Sequence, residues 1–209
     1  LRNLYALALG LTLLAGTSAR GGTLTLSTFA DDERVLLWDL YNEPGNSSNK
    51  EKSLPLVMAV FEWARSVNPS QPLTVGVWFD NEPLNEFQFA ASDVITFHNY
   101  DSPTELEKRI NWLKRYNRPM ICTEYMARGN GSFFFGSLLV GKVHNVGMIN
   151  WGLVQGKSQT HLPWDSWQRP YVDREPSLWF HEVFRNDGKP YLQEEVEFIK
   201  RMTGKVKSN

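Results

Sequence analysis

Short apolar segments alternate with amphipathic ones along most of this chain, and this alternation constrains its fold more than any other feature. Five apolar segments have the length of strands: residues 35–41, 73–78, 94–98, 120–123 and 146–151. Segments with helical periodicity lie between and after them: residues 54–67, about 84–89, 103–116, 137–144, 177–184 and 193–203. Strands that alternate with helices are typical of βα units around a parallel sheet. The sequence therefore predicts an α/β fold.

Two of the predicted strands lead directly into a glutamate. Asn42-Glu43-Pro44 follows the first strand, and Glu124 follows the fourth. Hydrolysis of a glycosidic bond needs two carboxyl groups, one as proton donor and one as nucleophile. Each glutamate also has a structural interpretation, Glu43 as a solvated helix-capping carboxylate and Glu124 as the partner of an arginine such as Arg128. We favour the catalytic interpretation because each glutamate ends a predicted buried strand.

Two further motifs occur at strand ends. His98-Asn99-Tyr100 closes the third predicted strand, and Asn150-Trp151 closes the fifth. With these motifs in this order, the chain resembles the clan A glycoside hydrolases, most closely glycoside hydrolase family 5, over about residues 29–203. The resemblance implies that Glu43 is the acid/base and Glu124 the nucleophile.

The same resemblance implies which residues bind the sugar. Asn42 would hydrogen-bond the 2-hydroxyl of the reacting sugar, and Trp151 would form the floor beneath that sugar. His98 and Tyr100 would line the cleft or orient Glu124. Core packing is the alternative role for both His98 and Trp151.

The fold implied by the resemblance is a (β/α)8 barrel in which the five predicted strands are strands four to eight. Three more βα units would need about 30 residues each, whereas 34 residues precede residue 35. We therefore expect residues 21–209 to form a partial barrel domain, the carboxyl-terminal portion of such an enzyme. Because missing strands leave open sheet edges, we expect residues 1–209 alone to be weakly stable and nearly inactive.

The implied function is hydrolysis of O-glycosidic bonds in a β-linked polysaccharide or oligosaccharide, with retention of configuration, by double displacement through two glutamates. Two alternatives stay open. One is a catalytically inert barrel fragment that at most binds carbohydrate, and the other is a barrel of another clan A family, including one that transfers sugars to acceptors. The chemistry needs no cofactor and no metal ion, and the four histidines are too dispersed to suggest a metal site.

The composition of the chain limits the classes of molecule that it could bind. With 42% hydrophobic and 22% charged residues the chain has the make-up of a globular protein. A formal net charge of −1 argues against nucleic acid or an anionic membrane surface as the main partner. The carbohydrate substrate is what the resemblance implies. The single cysteine, Cys122, excludes an internal disulfide, and its place in a predicted strand favours a core residue over a catalytic thiol.

Residues 1–20 have the form of a secretory signal. Arg2 precedes an apolar run over residues 4–14, and small residues follow. The run is too short to span a bilayer comfortably, and a stray upstream segment is the alternative interpretation. A signal would make the protein secreted or periplasmic.

A few other residues have two interpretations. Trp164 and Trp167, in the long loop after the last predicted strand, either stack on sugars or pin the loop. Asn81-Glu82-Pro83 repeats the acid/base tripeptide but lies several residues beyond its strand, so we predict a surface loop there. Asp39, inside the first strand, is predicted to be a buried structural partner.

Overall fold

Strands and helices alternate in the computed structural model, which describes residues 25–78 and 81–204. The predicted signal segment therefore lies outside the described residues. The strands within the described residues are β1 (Trp38–Asn42), β2 (Leu73–Gly76), β3 (Ile95–Asn99), β4 (Met120–Tyr125) and β5 (Gly147–Met148). The α-helices in the same part of the chain are α1 (Leu54–Val67), α2 (Glu82–Ala91), α3 (Pro103–Leu113), α4 (Phe134–Val143) and α5 (Gln193–Met202).

One compact unit comprises the described residues up to Phe97 together with residues 116–120. In it β1 and β2 pair in parallel, with Trp38 opposite Leu73 and Asn42 opposite Gly76. The register shifts between Asp39 and Asn42, which marks a bulge just before the end of β1. Bulges bend a strand and redirect its side chains, so this one affects how the residues after Asn42 leave the sheet.

Helix α1 shows why the predicted helical segments fold as they do. A proline stands in its first turn, where the missing N–H costs no hydrogen bond, and Asn68 ends it in the left-handed conformation at φ 55°. Val57, Phe61 and Ala64 are spaced by four and three residues and are its buried positions. The apolar stripe of the sequence is therefore the face that packs on the core.

A second compact unit comprises residues 98–115 and the described residues from Ile121 onward. The order of neighbouring strands in its sheet is β3, β4, β5. Strands β4 and β5 are parallel, with Ile121 opposite Gly147 and Cys122 opposite Met148. Cys122 is fully buried, and burial raises the pKa of its thiol, so the prediction of a core residue is confirmed.

The structure confirms the alternation of strands and helices and corrects several boundaries. The predicted helix at residues 54–67 is confirmed to the residue, whereas the last predicted strand shrinks from residues 146–151 to Gly147–Met148. The predicted helix at residues 177–184 is wrong, because backbone groups there bond to other loops. Phe180 donates to the carbonyl of His161, and Val183 donates to that of Leu153.

The predicted surface position of Asn81-Glu82-Pro83 is confirmed for Glu82 and Pro83, which are exposed, whereas the predicted loop is wrong. Asn81 is the N-cap of α2, its side chain accepts a hydrogen bond from the backbone N–H of Leu84, and Glu82 and Pro83 form the first turn. Asn, Glu and Pro are residues that favour a helix start. The tripeptide therefore begins a helix.

Across residues 25–78 and 81–204, the structure contains no helix of the length and apolar character needed to cross a bilayer.

Candidate active site

Glu124 lies near the end of β4 with its carboxylate bound by residues from the end of β3. The hydroxyl of Tyr100 donates to Oε2 of Glu124 over 2.6 Å, and Nδ1 of His98 lies 3.4 Å from the same oxygen. The Glu124 side chain is only 14% exposed, and that of His98 is buried. A hydroxyl that donates to a carboxylate favours its ionised form and fixes its orientation. Neighbouring strands thus bring together three of the residues predicted from sequence, while their catalytic roles stay predictions.

The chain turns sharply after β4 in a strained conformation. Met126 has a φ of 75°, in the left-handed region that a long side chain rarely adopts. The backbone N–H of Met126 donates to Oγ of Ser132 over 3.2 Å, and its carbonyl lies 2.6 Å from Nδ1 of His181. Hydrogen bonds on both sides of the residue hold this turn, and strain of this kind is common beside functional sites.

His181 is a buried histidine beside this site that the sequence analysis did not single out. Its Nδ1 faces the carbonyl of Met126, and its Nε2 accepts from the indole N–H of Trp164 over 2.9 Å. The two contacts define a neutral ring with the proton on Nδ1, because a carbonyl only accepts and an indole only donates. Burial, the largest cause, lowers the pKa of His181 to about 4.

Aromatic rings surround Tyr100. The Trp164 ring stands edge-on to it with centroids 5.2 Å apart, and the His181 ring lies 5.5 Å away. Phe180 packs against Trp164 at 5.4 Å. No signal in the sequence pointed to His181 or Phe180, since both lie in the segment that was predicted to be a helix.

Trp151 follows β5 and is 44% exposed. Its backbone N–H donates to the carbonyl of Tyr125, so the chain stays beside the end of β4 although the regular strand has ended. The side-chain amide of Asn150 donates to the carbonyl of Gly152. An exposed tryptophan at this position is compatible with the predicted sugar floor, which stays a prediction.

Glu43 lies in the first unit, directly after β1. Its backbone N–H donates to the carbonyl of Gly76, and its φ of 48° is again left-handed. The side-chain amide of Asn46 donates to Oε2 of Glu43 over 2.6 Å. Asn42 is exposed. Asn46 was not predicted from sequence, although a side-chain amide three residues after a glutamate in a turn is well placed to bind it.

Two structural interpretations from sequence can be compared with these contacts. Asp39 accepts at Oδ1 from the backbone N–H of Gly76 over 3.0 Å, so it acts as the predicted structural partner, although it is half-buried. Arg128, considered as a partner for Glu124, instead binds Glu195 through two hydrogen bonds of 2.5 and 2.9 Å. Glu124 is instead contacted by Tyr100 and His98.

Comparison with known proteins identifies the family of this chain and proteins that share its fold. Residues 24–170 match the family described as Cellulase (glycosyl hydrolase family 5). A beta-glucuronidase from Paenibacillus borealis is 28% identical over 111 residues, which are 47% of this chain and 18% of that protein.

Two solved structures are similar in fold. The beta-glucuronidase of Faecalibacterium prausnitzii superposes with a TM-score of 0.59 at 15% identity, covering 91% of this chain and 36% of that one. A GH10 xylanase from Bispora sp. MEY-1 has a TM-score of 0.62 at 9% identity, covering 88% of this chain and 66% of that one. At such identities the likeness shows the fold alone, an α/β arrangement of parallel strands shared with TIM-barrel glycosidases. The chain spans about a third of the length of the first of these structures and less than a fifth of the curated relative.

Proposed function

Because the chain belongs to the cellulase family, glycosyl hydrolase family 5, we propose that it hydrolyses O-glycosidic bonds of a β-linked polysaccharide or oligosaccharide with retention of configuration. The observation that carries this proposal is the contact of Glu124 with Tyr100 and His98 at the strand ends. A nucleophilic carboxylate must be ionised and aimed at the anomeric carbon. A short hydrogen bond from a tyrosine hydroxyl serves both requirements.

In this mechanism Glu124 attacks the anomeric carbon and forms a covalent glycosyl-enzyme while the bond to the departing oxygen breaks. Glu43 gives its proton to that oxygen and later takes one from the incoming water. The water oxygen bonds to the anomeric carbon as the bond from that carbon to Glu124 breaks, so both carboxyls are restored. Asn42 binds the sugar 2-hydroxyl, and Trp151 lies beneath the sugar ring. Retention calls for carboxyls about 5–5.5 Å apart, and the separation of Glu43 and Glu124 stays a prediction.

The proposal extends to the architecture and place of the protein. We assign β1 to β5 to strands four to eight of the barrel, and residues 21–209 to one partial barrel domain. Residues 1–20 are proposed as a secretory signal, so the protein would act outside the cytoplasm, secreted or in the periplasm. The substrate is a β-glycan, and the choice among β-glucan, mannan and xylan is left to experiment.

The roles of the two glutamates can be tested in the full-length protein with azide. Glu124→Ala should lower turnover of an aryl β-glycoside by at least about a thousandfold, because the covalent intermediate cannot form. Added azide should restore product as a glycosyl azide of inverted configuration, since azide then attacks the face that Glu124 leaves open. Chromatography and NMR of the product measure this.

The variant Glu43→Ala tests the role of Glu43 as the acid. It should slow turnover of substrates with poor leaving groups most, because activated leaving groups need little protonation. Equal slowing of both kinds of substrate would contradict its role as the acid. Sugar binding without any turnover by the unmutated protein would favour the inert, carbohydrate-binding alternative.

A further inference from the structure

Trp164 is an aromatic side chain for which the proposed mechanism has no role. It begins the 3-10 turn Trp164–Trp167 directly after Pro163, and it is 48% exposed. Trp179, in the segment that follows, is fully buried. Unlike Trp179, Trp164 therefore lies outside the core, and about half of the residue is open to a ligand.

The Trp164 ring is fixed in place on several sides. Its N–H donates to Nε2 of His181 over 2.9 Å. Its ring packs edge-on against Tyr100 at 5.2 Å, with an interplanar angle of 87°, and against Phe180 at 5.4 Å. An exposed aromatic ring that is already immobilised loses little entropy when a ligand packs on it. This favours a binding surface over a chance exposure.

His181 is itself held rigidly. Its Nδ1 donates to the carbonyl of Met126 over 2.6 Å, and the whole of His181 is buried. Gly152 has a φ of 85°, which favours glycine, and a Cβ added there would lie 3.0 Å from Cβ of His181. The loop after β5 therefore packs closely against His181. With both nitrogens engaged, the imidazole presents a lone pair at a fixed point to the indole N–H.

These contacts connect Trp164, through the Tyr100 ring, to Glu124, the candidate nucleophile. The Tyr100 ring touches Trp164, and the Tyr100 hydroxyl binds Glu124. Pyranose rings have an apolar face of C–H groups that suits the electron-rich face of an aromatic ring. The indole N–H, the only polar group of the side chain, is already occupied by His181, which leaves ring carbon surface for a ligand.

We propose that Trp164 stacks on a pyranose unit adjoining the sugar at Glu124, and that His181 is the positioning residue that holds the indole ring for this contact. The class of ligand, a β-glycan, rests on the proposed function. The contact would add affinity for a chain of sugars and contribute little to a substrate with a single sugar.

Binding, measured without turnover, tests this inference. In full-length protein that carries Glu124→Gln, titration calorimetry measures the affinity for cellotetraose, xylotetraose and mannotetraose. Adding Trp164→Ala should weaken binding of whichever tetraose binds by about tenfold, which corresponds to about 1.4 kcal/mol. Trp164→Phe should weaken it by about threefold, because a smaller ring remains. Trp63→Ala, at a partly exposed tryptophan of α1, is the matched control and should leave the affinity unchanged.

Tetraose affinity in single and double variants tests the positioning role of His181. His181→Ala should weaken tetraose binding several-fold where Trp164 is present and should add nothing in the Trp164→Ala background, since positioning acts only through the ring. His181→Gln, which keeps a donor and an acceptor, should recover most of the affinity. Additive effects of the two alanine variants would overturn the positioning role.

The stacking proposal is overturned if no tetraose binds, or if Trp164→Ala and Trp164→Phe both bind as tightly as the parent. Turnover by the protein with Glu124 intact is a separate measurement. Tetraose binding that depends on Trp164, without turnover, would overturn the proposed hydrolysis and support the stacking contact.

Discussion

At the scale of single residues, His181 shows how burial selects one protonation state. Its ring is enclosed beside Met126, and the charge of Arg128 adds to the effect of burial in lowering its pKa to about 4. A protonated imidazole would lose the acceptor that binds the indole N–H of Trp164. The neutral ring is therefore part of the structure around Glu124.

This depressed pKa predicts a pH dependence of stability. An unfolded chain binds a proton at a histidine near pH 6.5, whereas folded His181 binds one only near pH 4. Between these values the unfolded state holds more protons, so the free energy of unfolding should fall as the pH drops from about 6.5 to about 4, by at most about 3 kcal/mol. Urea denaturation of the full-length protein at pH 7 and pH 4.5 measures the change.

His181→Gln is the control for this effect, because glutamine does not titrate yet can still donate and accept. The fall in stability between the two pH values should be smaller in this variant. The same fall in both proteins would show that His181 does not cause it.

At the scale of elements, one buried ion pair connects the turn after β4 to α5. Arg128 binds Glu195 through Nε and Nη2, and it also donates to the backbone carbonyls of Trp179 and Glu182. Both side chains are almost fully buried, and the Tyr191 ring lies 4.9 Å from the guanidinium. This arginine therefore holds the segment that carries His181 against the end of β4.

Removing one partner of that pair should be strongly destabilising. Glu195→Gln leaves the buried guanidinium without a counter-charge, and such changes cost about 3–5 kcal/mol. Chemical denaturation should detect the loss as a lower midpoint. Glu105→Gln breaks the exposed pair with Lys108, 2.6 Å apart, and should cost less than about 1 kcal/mol. Equal effects of the two substitutions would contradict the proposed importance of burial.

At the scale of the whole molecule, charge is nearly balanced. Twenty-two basic and 23 acidic residues leave a formal net charge of −1. A protein with so little net charge exerts no strong long-range attraction on ions or polyanions. Affinity for a neutral glycan should therefore come from contacts inside the cleft.

Salt provides the test at this scale. The KM for a neutral β-glycan should change by less than about twofold between 50 and 500 mM NaCl, because screening has no long-range interaction to weaken. Initial rates at the two salt concentrations give the value. A KM that rises steeply with salt would show instead that the preferred substrate carries acidic sugars.

The sequence by itself determined the alternation of strands and helices as far as β5, the helix at Leu54–Val67 and the strand-end positions of Glu43, Glu124, His98 and Tyr100. Periodicity and capping residues are local properties, so they can be seen without the fold. Only the tertiary structure decided that Tyr100 binds Glu124, that Arg128 binds Glu195, and that residues 177–184 are irregular. Those outcomes depend on partners distant along the chain, because buried polar groups must find a hydrogen bond wherever the fold brings one.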